Sequence, residues 1–359
     1  MYIEEQISAT KVLIVKTSSL GDIIQSFDVL DFLVAYFPNV VVDWAVEAHF
    51  SSVVSAHPLV RRVIPLNIKG LRKKWSFCQA FQEIKMLRQE KYDFVFDLQK
   101  NTKSGLVTAL CRSPVKVGFG YKSVREWPNI LATNKRFDIP NALNIRLQYV
   151  GLLQRYFGQQ LQFASRGVCF KIDPRDSQKI DSILEKGKPR MMVCPGSKWI
   201  NKQLPVSTLT EVLALIGQTL GSIFYLVWGN DEERFYCQQI QDKLGKSCII
   251  VEKLSIPVWQ NLMRAMDLVI AVDSSALHLC GTTATRSFSL FGPTDSEIFK
   301  PVGTNHFAIQ GACPYGKAYV KQCPILRTCS TGACLRDMEA DKIYNQFIYW
   351  WKKETSPVA

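Results

Sequence analysis

Short, nearly all-apolar runs recur along this chain, each followed by a turn and an amphipathic stretch, and the whole alternation happens twice. In the first half the runs are KVLIVK (11–16), VVVDWAV (40–46), RRVIPL (61–66), YDFVFDL (92–98) and VKVGFG (115–120). In the second half they are MMVCPG (191–196), SIFYLVWG (222–229), CIIVE (248–252), LVIAVD (268–273) and SFSLFG (287–292). Helical patterns lie between them, at 22–37, 75–90 and 101–111 and then at 207–219, 230–243, 256–265 and 275–283. Continuous Val/Ile/Phe runs separated by helices predict parallel sheets covered on both faces. Two alternations of similar size predict an α/β chain of two doubly wound domains, with the break in 163–188, where FASRG, DPRDS and EKGKP interrupt the pattern.

Length agrees, since 359 residues suffice for two cores. A hydrophobic fraction of 47% excludes a disordered or fibrous chain. No stretch approaches the roughly 18 uninterrupted apolar residues of a membrane span. The start, MYIEEQISATK, carries acids where a secretory signal carries bases, so a soluble intracellular protein is expected. Net charge is +13, and residues 61–136 hold 17 Lys+Arg against 5 Asp+Glu. A field so concentrated attracts an anionic partner: nucleic acid, an anionic membrane surface, or a phosphorylated or carboxylated substrate. No zinc-finger spacing, RNP-type motif or basic region with heptads accompanies it, so no nucleic-acid partner is expected.

Open α/β sheets bind ligands at the carboxyl ends of their strands, and three segments there carry suitable side chains. In TSSLGDII (17–24), Gly21 allows close backbone approach and Asp22 can act as a general base, although Ser and Asp are also ordinary helix caps. PGSKWINKQLP (195–205) offers small residues with Lys198 and Lys202, which suits a phosphate group, but it is not a Walker A loop. DSSALH (273–278) brings Asp273, two hydroxyls and His278 to a helix start. GPTD (292–295) makes a third loop on that rim. Together these point to a nucleotide-diphosphate site in the second domain.

The ordered set KVLIVKTSSLGD, VVVDWAVE, RRVIPLNIKGLRKKW, PGS…NKQLP, WGNDEE, AVDSSALH and FGPTD closely resembles the ADP-heptose-using heptosyltransferases of lipopolysaccharide core synthesis, most like the heptosyltransferase I group. The resemblance implies a GT-B fold, two Rossmann-like domains facing a central cleft. It implies an acceptor-binding domain over 1–170, an ADP-sugar-binding domain over 171–337, and a helix and tail over 338–359 packing back on the first domain. Asp22 matches the family's catalytic base, and Ser18, Ser19 and Gly21 share its loop on the acceptor side. Lys202 matches the lysine on the donor diphosphate, beside Gly196 and Ser197. Asp273 matches the acid contacting the heptose, and Ser274, Ser275 and His278 the loop around the diphosphate. Glu233, or its neighbour Glu232, matches the ribose-binding acid, and Leu254 lies near the adenine position. Lys69, Arg72, Lys73 and Arg125 match bases that hold an anionic Kdo acceptor, in keeping with the basic segment. Ser275, Leu204 and Asn141 depart from the family pattern of glycine, tryptophan and histidine at these places, which bears on the acceptor.

The resemblance implies an inverting transfer of L-glycero-D-manno-heptose from ADP-heptose to Kdo-lipid A, without a catalytic cofactor, at the cytoplasmic face of the inner membrane. A transfer to a later core sugar or to protein hydroxyls, and a non-catalytic sugar-nucleotide or glycolipid binding module, are the alternatives. Seven of the eleven cysteines are scattered singly and are expected as small buried hydrophobes. Cys313, Cys323, Cys329 and Cys334 crowd into 22 residues. They resemble a cluster in metal-binding relatives, but the spacing lacks a tight CxxC knuckle. A structural Zn²⁺ or iron site and a set of free thiols both remain open.

Overall fold

The computed structural model describes residues 9–67, 77–159 and 167–355. The chain divides into two compact units, Met1–Asn141 with Ile145–Ser165, and Ala142–Asn144 with Arg166–Ala359. The first contains six parallel strands, β1 (Lys11–Val15), β2 (Val41–Glu47), β3 (Val60–Leu66), β4 (Phe94–Asp97), β5 (Val115–Phe119) and β6 (Lys135–Phe137), in the order β3-β2-β1-β4-β5-β6. The second contains β7 (Arg190–Cys194), β8 (Ile223–Leu226), β9 (Cys248–Ile250), β10 (Leu268–Val272), β11 (Arg286–Phe291) and β12 (His306–Gln310), in the order β12-β11-β10-β7-β8-β9. Both orders are the doubly wound one, in which the sheet reverses direction between β1 and β4 and between β7 and β10.

Why the strands form is visible in their burial. All five residues of β10, LVIAV, are buried, as are the last four of β1 and of β7. A strand with no solvent-facing side needs no polar alternation. The two strands absent from the sequence reading, β6 and β12, are sheet edges, and their KRF and HFAIQ lack a continuous apolar run.

The expected helix over 22–37 is two helices, Leu20–Gln25 and Asp28–Tyr36. The segment read as a domain break holds a helix, Pro174–Ile183, started by Asp173, whose carboxylate accepts from the Arg175 N–H at 2.8 Å, with Pro174 in the first turn.

The C-terminal helix, Ala340–Thr355, corrects an expectation. Its buried face is spent in its own unit rather than reserved for the first domain: Ile343, Phe347 and Trp350 lie in the core of the second unit with Phe288 and Ile309. The Phe347 ring meets Phe288 edge-on at 5.2 Å. Its apolar stripe matched an uncovered sheet face in its own unit, a pairing that periodicity alone does not specify.

Among the described residues no helix is long and apolar enough to cross a membrane. Part of the basic segment is spent on the fold itself. Asp43, fully buried in β2, takes Arg61 through two bonds of 2.9 and 2.8 Å, Arg62 at 3.0 Å and the Tyr92 hydroxyl at 2.7 Å. A carboxylate removed from water needs such partners, so these two arginines offset Asp43.

Candidate active site

In the first unit the loops after β1 and β4 meet at the point where the sheet reverses. Gln99, nearly buried, turns its side-chain carbonyl to the β1 loop and accepts from the backbone N–H groups of Thr17 and Ser18, both at 3.1 Å. Asp22 lies one turn on, with one carboxylate oxygen accepting from the Ser19 N–H at 3.2 Å and the Ser19 hydroxyl at 2.8 Å. The cap reading of this loop is therefore fulfilled, and it fixes the carboxylate rather than competing with a chemical role. Gly21 and Asp22 are half-buried.

Two lysines stand about the tyrosine that the Asp22 charge reaches. Burial, and after it the Asp22 charge, raises the Tyr149 phenol well above its ordinary value. The Lys16 ammonium lies 4.9 Å from the centre of that same ring and the Lys100 ammonium 5.9 Å. Lys100 also donates to Gln148 at 3.2 Å, and its backbone sits at φ +67°. The Arg125 side chain is exposed on the loop after β5, where its N–H donates to the Lys100 carbonyl. Lys69, Arg72 and Lys73 lie outside the described residues. Gln99, Lys16, Lys100 and Tyr149 escaped the sequence reading. The DLQK segment closing β4 was the signal for two of them, because it occupies a strand carboxyl end.

In the second unit the loops after β7 and β10 meet at the corresponding place. Asp273, at the end of β10, receives the Lys202 ammonium at 2.5 Å and the Thr294 hydroxyl at 2.6 Å, and His278 Nε2 lies 3.7 Å from its other oxygen. Burial alone would push this carboxyl up. The Lys202 charge, then His278 and the two hydrogen bonds outweigh it and hold the pKa below the usual aspartate value. Ser274 follows with its hydroxyl oxygen buried and without a hydrogen-bond partner among the described residues, and Ser275 is half-buried. Thr294, from the GPTD loop, is the one member of this cluster whose role the sequence left unassigned.

Glu233 closes the other side. Asn230 caps its helix by accepting from the Glu233 N–H at 2.9 Å, and the Glu233 carboxylate accepts from the Gly229 N–H at 2.7 Å. That carboxylate lies over Gly196, where an added Cβ would stand 2.2 Å from its carbon. Glu232 is exposed, so Glu233 is the acid directed at the Gly196 loop. Beside them, Trp228 is held by its ring N–H on the Val251 carbonyl at 2.8 Å, with Arg234 and Lys253 over its ring. Leu254 is half-buried on the loop after β9. Ser197 accepts from Gln203 through its carbonyl at 2.6 Å, which braces the loop leading to Lys202.

A methyl group at residue 196 must displace the Glu233 carboxylate. With Glu233 in the ribose-binding role that the family resemblance implies, Gly196→Ala is expected to weaken ADP binding at least about tenfold, or 1.4 kcal/mol, with little change in melting temperature. Titration calorimetry with ADP checks it.

The cysteine-rich segment buttresses this site. Asn201, next to Lys202, donates to the Leu326 carbonyl at 2.5 Å. Gly332, at φ +59°, sits so close that a Cβ there would stand 2.6 Å from the Asn201 Cα. Burial first, and then the charges of Cys313, Cys329 and Cys323, push the Cys334 thiol up to about 11. The Gly332 N–H and Thr331 hydroxyl draw Cys329 below its ordinary value. Among the described residues no group of three or more His, Cys, Asp or Glu is disposed to hold a metal ion. Of the scattered cysteines, Cys111, Cys194, Cys237, Cys248 and Cys280 are buried as expected. Cys169 is not: it is exposed, with the Arg264 guanidinium at 2.7 Å.

A buried lysine–aspartate pair and a glycine–glutamate contact thus stand at the reversal point of the second doubly wound sheet, where open α/β sheets take their ligands. Residues 81–328 match glycosyltransferase family 9 (heptosyltransferase), and the chain belongs to that family. It is a glycosyltransferase of GT-B fold. The chain is 28% identical over 300 residues to lipopolysaccharide heptosyltransferase 1 of Campylobacter coli, covering 80% of this chain and 85% of the relative. Against the protein of the same name from Escherichia coli K12 the identity is 25% over 300 residues, covering 82% and 92%. The solved structure of E. coli heptosyltransferase WaaC with ADP superposes with a TM-score of 0.75 at 23% identity, covering 95% of this chain and 99% of that one. Membership in an enzyme family removes the non-catalytic binding module from consideration.

Proposed function

We propose that this glycosyltransferase transfers L-glycero-D-manno-heptose from ADP-heptose to a Kdo residue of a Kdo-lipid A-type acceptor, with inversion, in assembly of the lipopolysaccharide inner core. The observation that carries the donor half is the buried Lys202–Asp273 pair with Thr294 and His278, beside Glu233 on Gly196. Relatives named lipopolysaccharide heptosyltransferase 1 support the choice of sugar and pathway.

In this reading the acceptor hydroxyl oxygen attacks the anomeric carbon, the bond from that carbon to the diphosphate oxygen breaks, and ADP leaves. The hydroxyl proton passes to Asp22, whose carboxylate is already oriented by Ser19. Lys202 turns from Asp273 to the diphosphate as negative charge grows there, and Asp273 is released to a heptose hydroxyl. Gly196, Ser197, Ser274, Ser275 and His278 surround the diphosphate, Glu233 takes the ribose, and Leu254 packs by the base. Ser18, Ser19 and Gly21 border the acceptor, with Lys69, Arg72, Lys73 and Arg125 on its anionic groups. The residues before 171 then serve the acceptor and those from 171 to 337 the donor. Basic side chains and backbone N–H groups neutralise the diphosphate, and no cofactor enters the transfer.

The enzyme works in the cytoplasm, peripherally on the inner face of the inner membrane, where such an acceptor is presented. A structural Zn²⁺ or iron at Cys313, Cys323, Cys329 and Cys334 belongs to the same reading, supported by the crowding of four thiols into 22 residues. About one metal per chain in anaerobically purified protein, lost in Cys329→Ser, supports it; metal-free folded protein overturns it.

Single-turnover ADP release from ADP-heptose, with and without Kdo-lipid A, tests the whole. Acceptor-dependent release is the expected result. Release driven only by a later core glycolipid or by a protein substrate would replace the acceptor, which Asn141, standing where the family pattern has histidine, makes the variable part.

A further inference from the structure

At the amino-terminal ends of β7, β10 and β11 the second unit holds a cavity of about 910 Å³. That volume falls within the range of small-ligand sites. Five basic residues line it: Lys186, Lys188, Arg190, Arg264 and Arg286. Only Glu185 and Asp267 bring negative charge. Asp267 is already engaged, accepting from the Arg190 N–H at 2.7 Å with the Arg190 guanidinium at 3.9 Å. Lys186 and Lys188 have no ion-pair partner among the described residues. They flank Gly187, whose φ of +78° makes the turn that brings both into the lining. Nothing lies within 4 Å of a Cβ built on Gly187, so the glycine serves the turn and not close packing. Trp351, from the C-terminal helix, completes the wall with the Arg286 guanidinium 5.7 Å from its ring centre.

This is not the donor site. Arg190 opens β7 while Gly196 follows its end, and Asp267 precedes β10 while Asp273 follows it. Six residues of strand separate the two ends by about 20 Å. Clustered like charges in a concave wall repel one another and destabilise the fold until an anion enters, and Lys and Arg together suit phosphate oxygens.

We infer that this cavity is a second anion site, built for a phosphate-bearing ligand of more than one negative charge. The phosphate is carried by a soluble phosphoester or anhydride or by the headgroup of an anionic phospholipid.

The test is calorimetric titration of pyrophosphate into the protein held in saturating ADP, which occupies the donor loops. One additional site is expected, and in Lys186→Ala/Lys188→Ala/Arg264→Ala its affinity falls about tenfold or more with ADP affinity unchanged. All three positions are exposed, and a thermal melt confirms that the variant is folded. A parallel arm sediments both proteins with phosphatidylglycerol and with phosphatidylcholine vesicles. Selective loss of phosphatidylglycerol binding by the variant assigns the phosphate to a lipid, whereas loss of pyrophosphate binding alone assigns it to a soluble ligand. If neither probe distinguishes wild type from variant, the inference is wrong. Heptose transfer is not the readout, so its absence would sink the proposed function and leave this test standing.

Discussion

On the proposed role of Asp22 as the base, Asp22→Ala is expected to lose acceptor-dependent ADP release by about 10²–10⁴-fold while keeping ADP affinity, since the second unit is untouched. Its carboxylate accepts two bonds from Ser19, so alanine also removes that half of the capping box and costs some helix stability. Asp22→Asn separates the two effects. The amide oxygen still accepts from Ser19 and the cap survives, but the amide cannot take a proton at neutral pH. We therefore expect the asparagine variant to melt with the wild type and to remain as inactive as alanine. Rapid-quench measurement of ADP release beside a thermal melt decides it. An active asparagine variant would reduce Asp22 to a capping residue.

Lys202→Met has the second large effect, and it has two components. In the unliganded protein Lys202 neutralises Asp273, whose side chain is only 7% exposed. Removing one member of a buried pair leaves an uncompensated charge, at a cost of about 3–5 kcal/mol. His278 and Thr294 remain on Asp273, so the lower end is expected. On the proposed contact of Lys202 with the donor diphosphate, catalysis is expected to lose a further factor of about 10²–10³, the usual loss when one preorganised donor to a departing charge is deleted.

The pH dependence carries the sign. The pKa of Asp273 is lowered by folding, so its contribution to stability is complete above the ordinary aspartate value and is lost as pH falls through the lowered one. The stability gap between wild type and Lys202→Met is therefore widest near neutrality and closes in acid. Denaturant melts across that range measure it, and a gap that is flat in pH would refute the ion-pair account.

The strand runs, the two alternations, and the loops bearing Asp22, Gly196, Lys202 and Asp273 were all legible in the sequence. Burial on both faces of a parallel sheet writes itself as uninterrupted apolar runs, and strand carboxyl ends follow directly from those runs. Two of the four edge strands, β6 and β12, were not legible, because they bury too little to need an apolar run, whereas the edges β3 and β9 carry one.

The sequence by itself determined the layer type, the doubly wound rhythm and which loops carry chemistry, since each is a property of contiguous residues. Only the tertiary structure decided who meets whom: Gln99 on the β1 loop, Glu233 over Gly196, Lys202 on Asp273, Arg61 and Arg62 on Asp43. It also assigned the terminal helix to the second core. These pairings join residues 18 to 82 positions apart, and periodicity carries no information at that range. A charge reads the same in sequence whether it is spent on a buried partner or left for a ligand. Desolvation distinguishes the two, and desolvation exists only once the chain is packed.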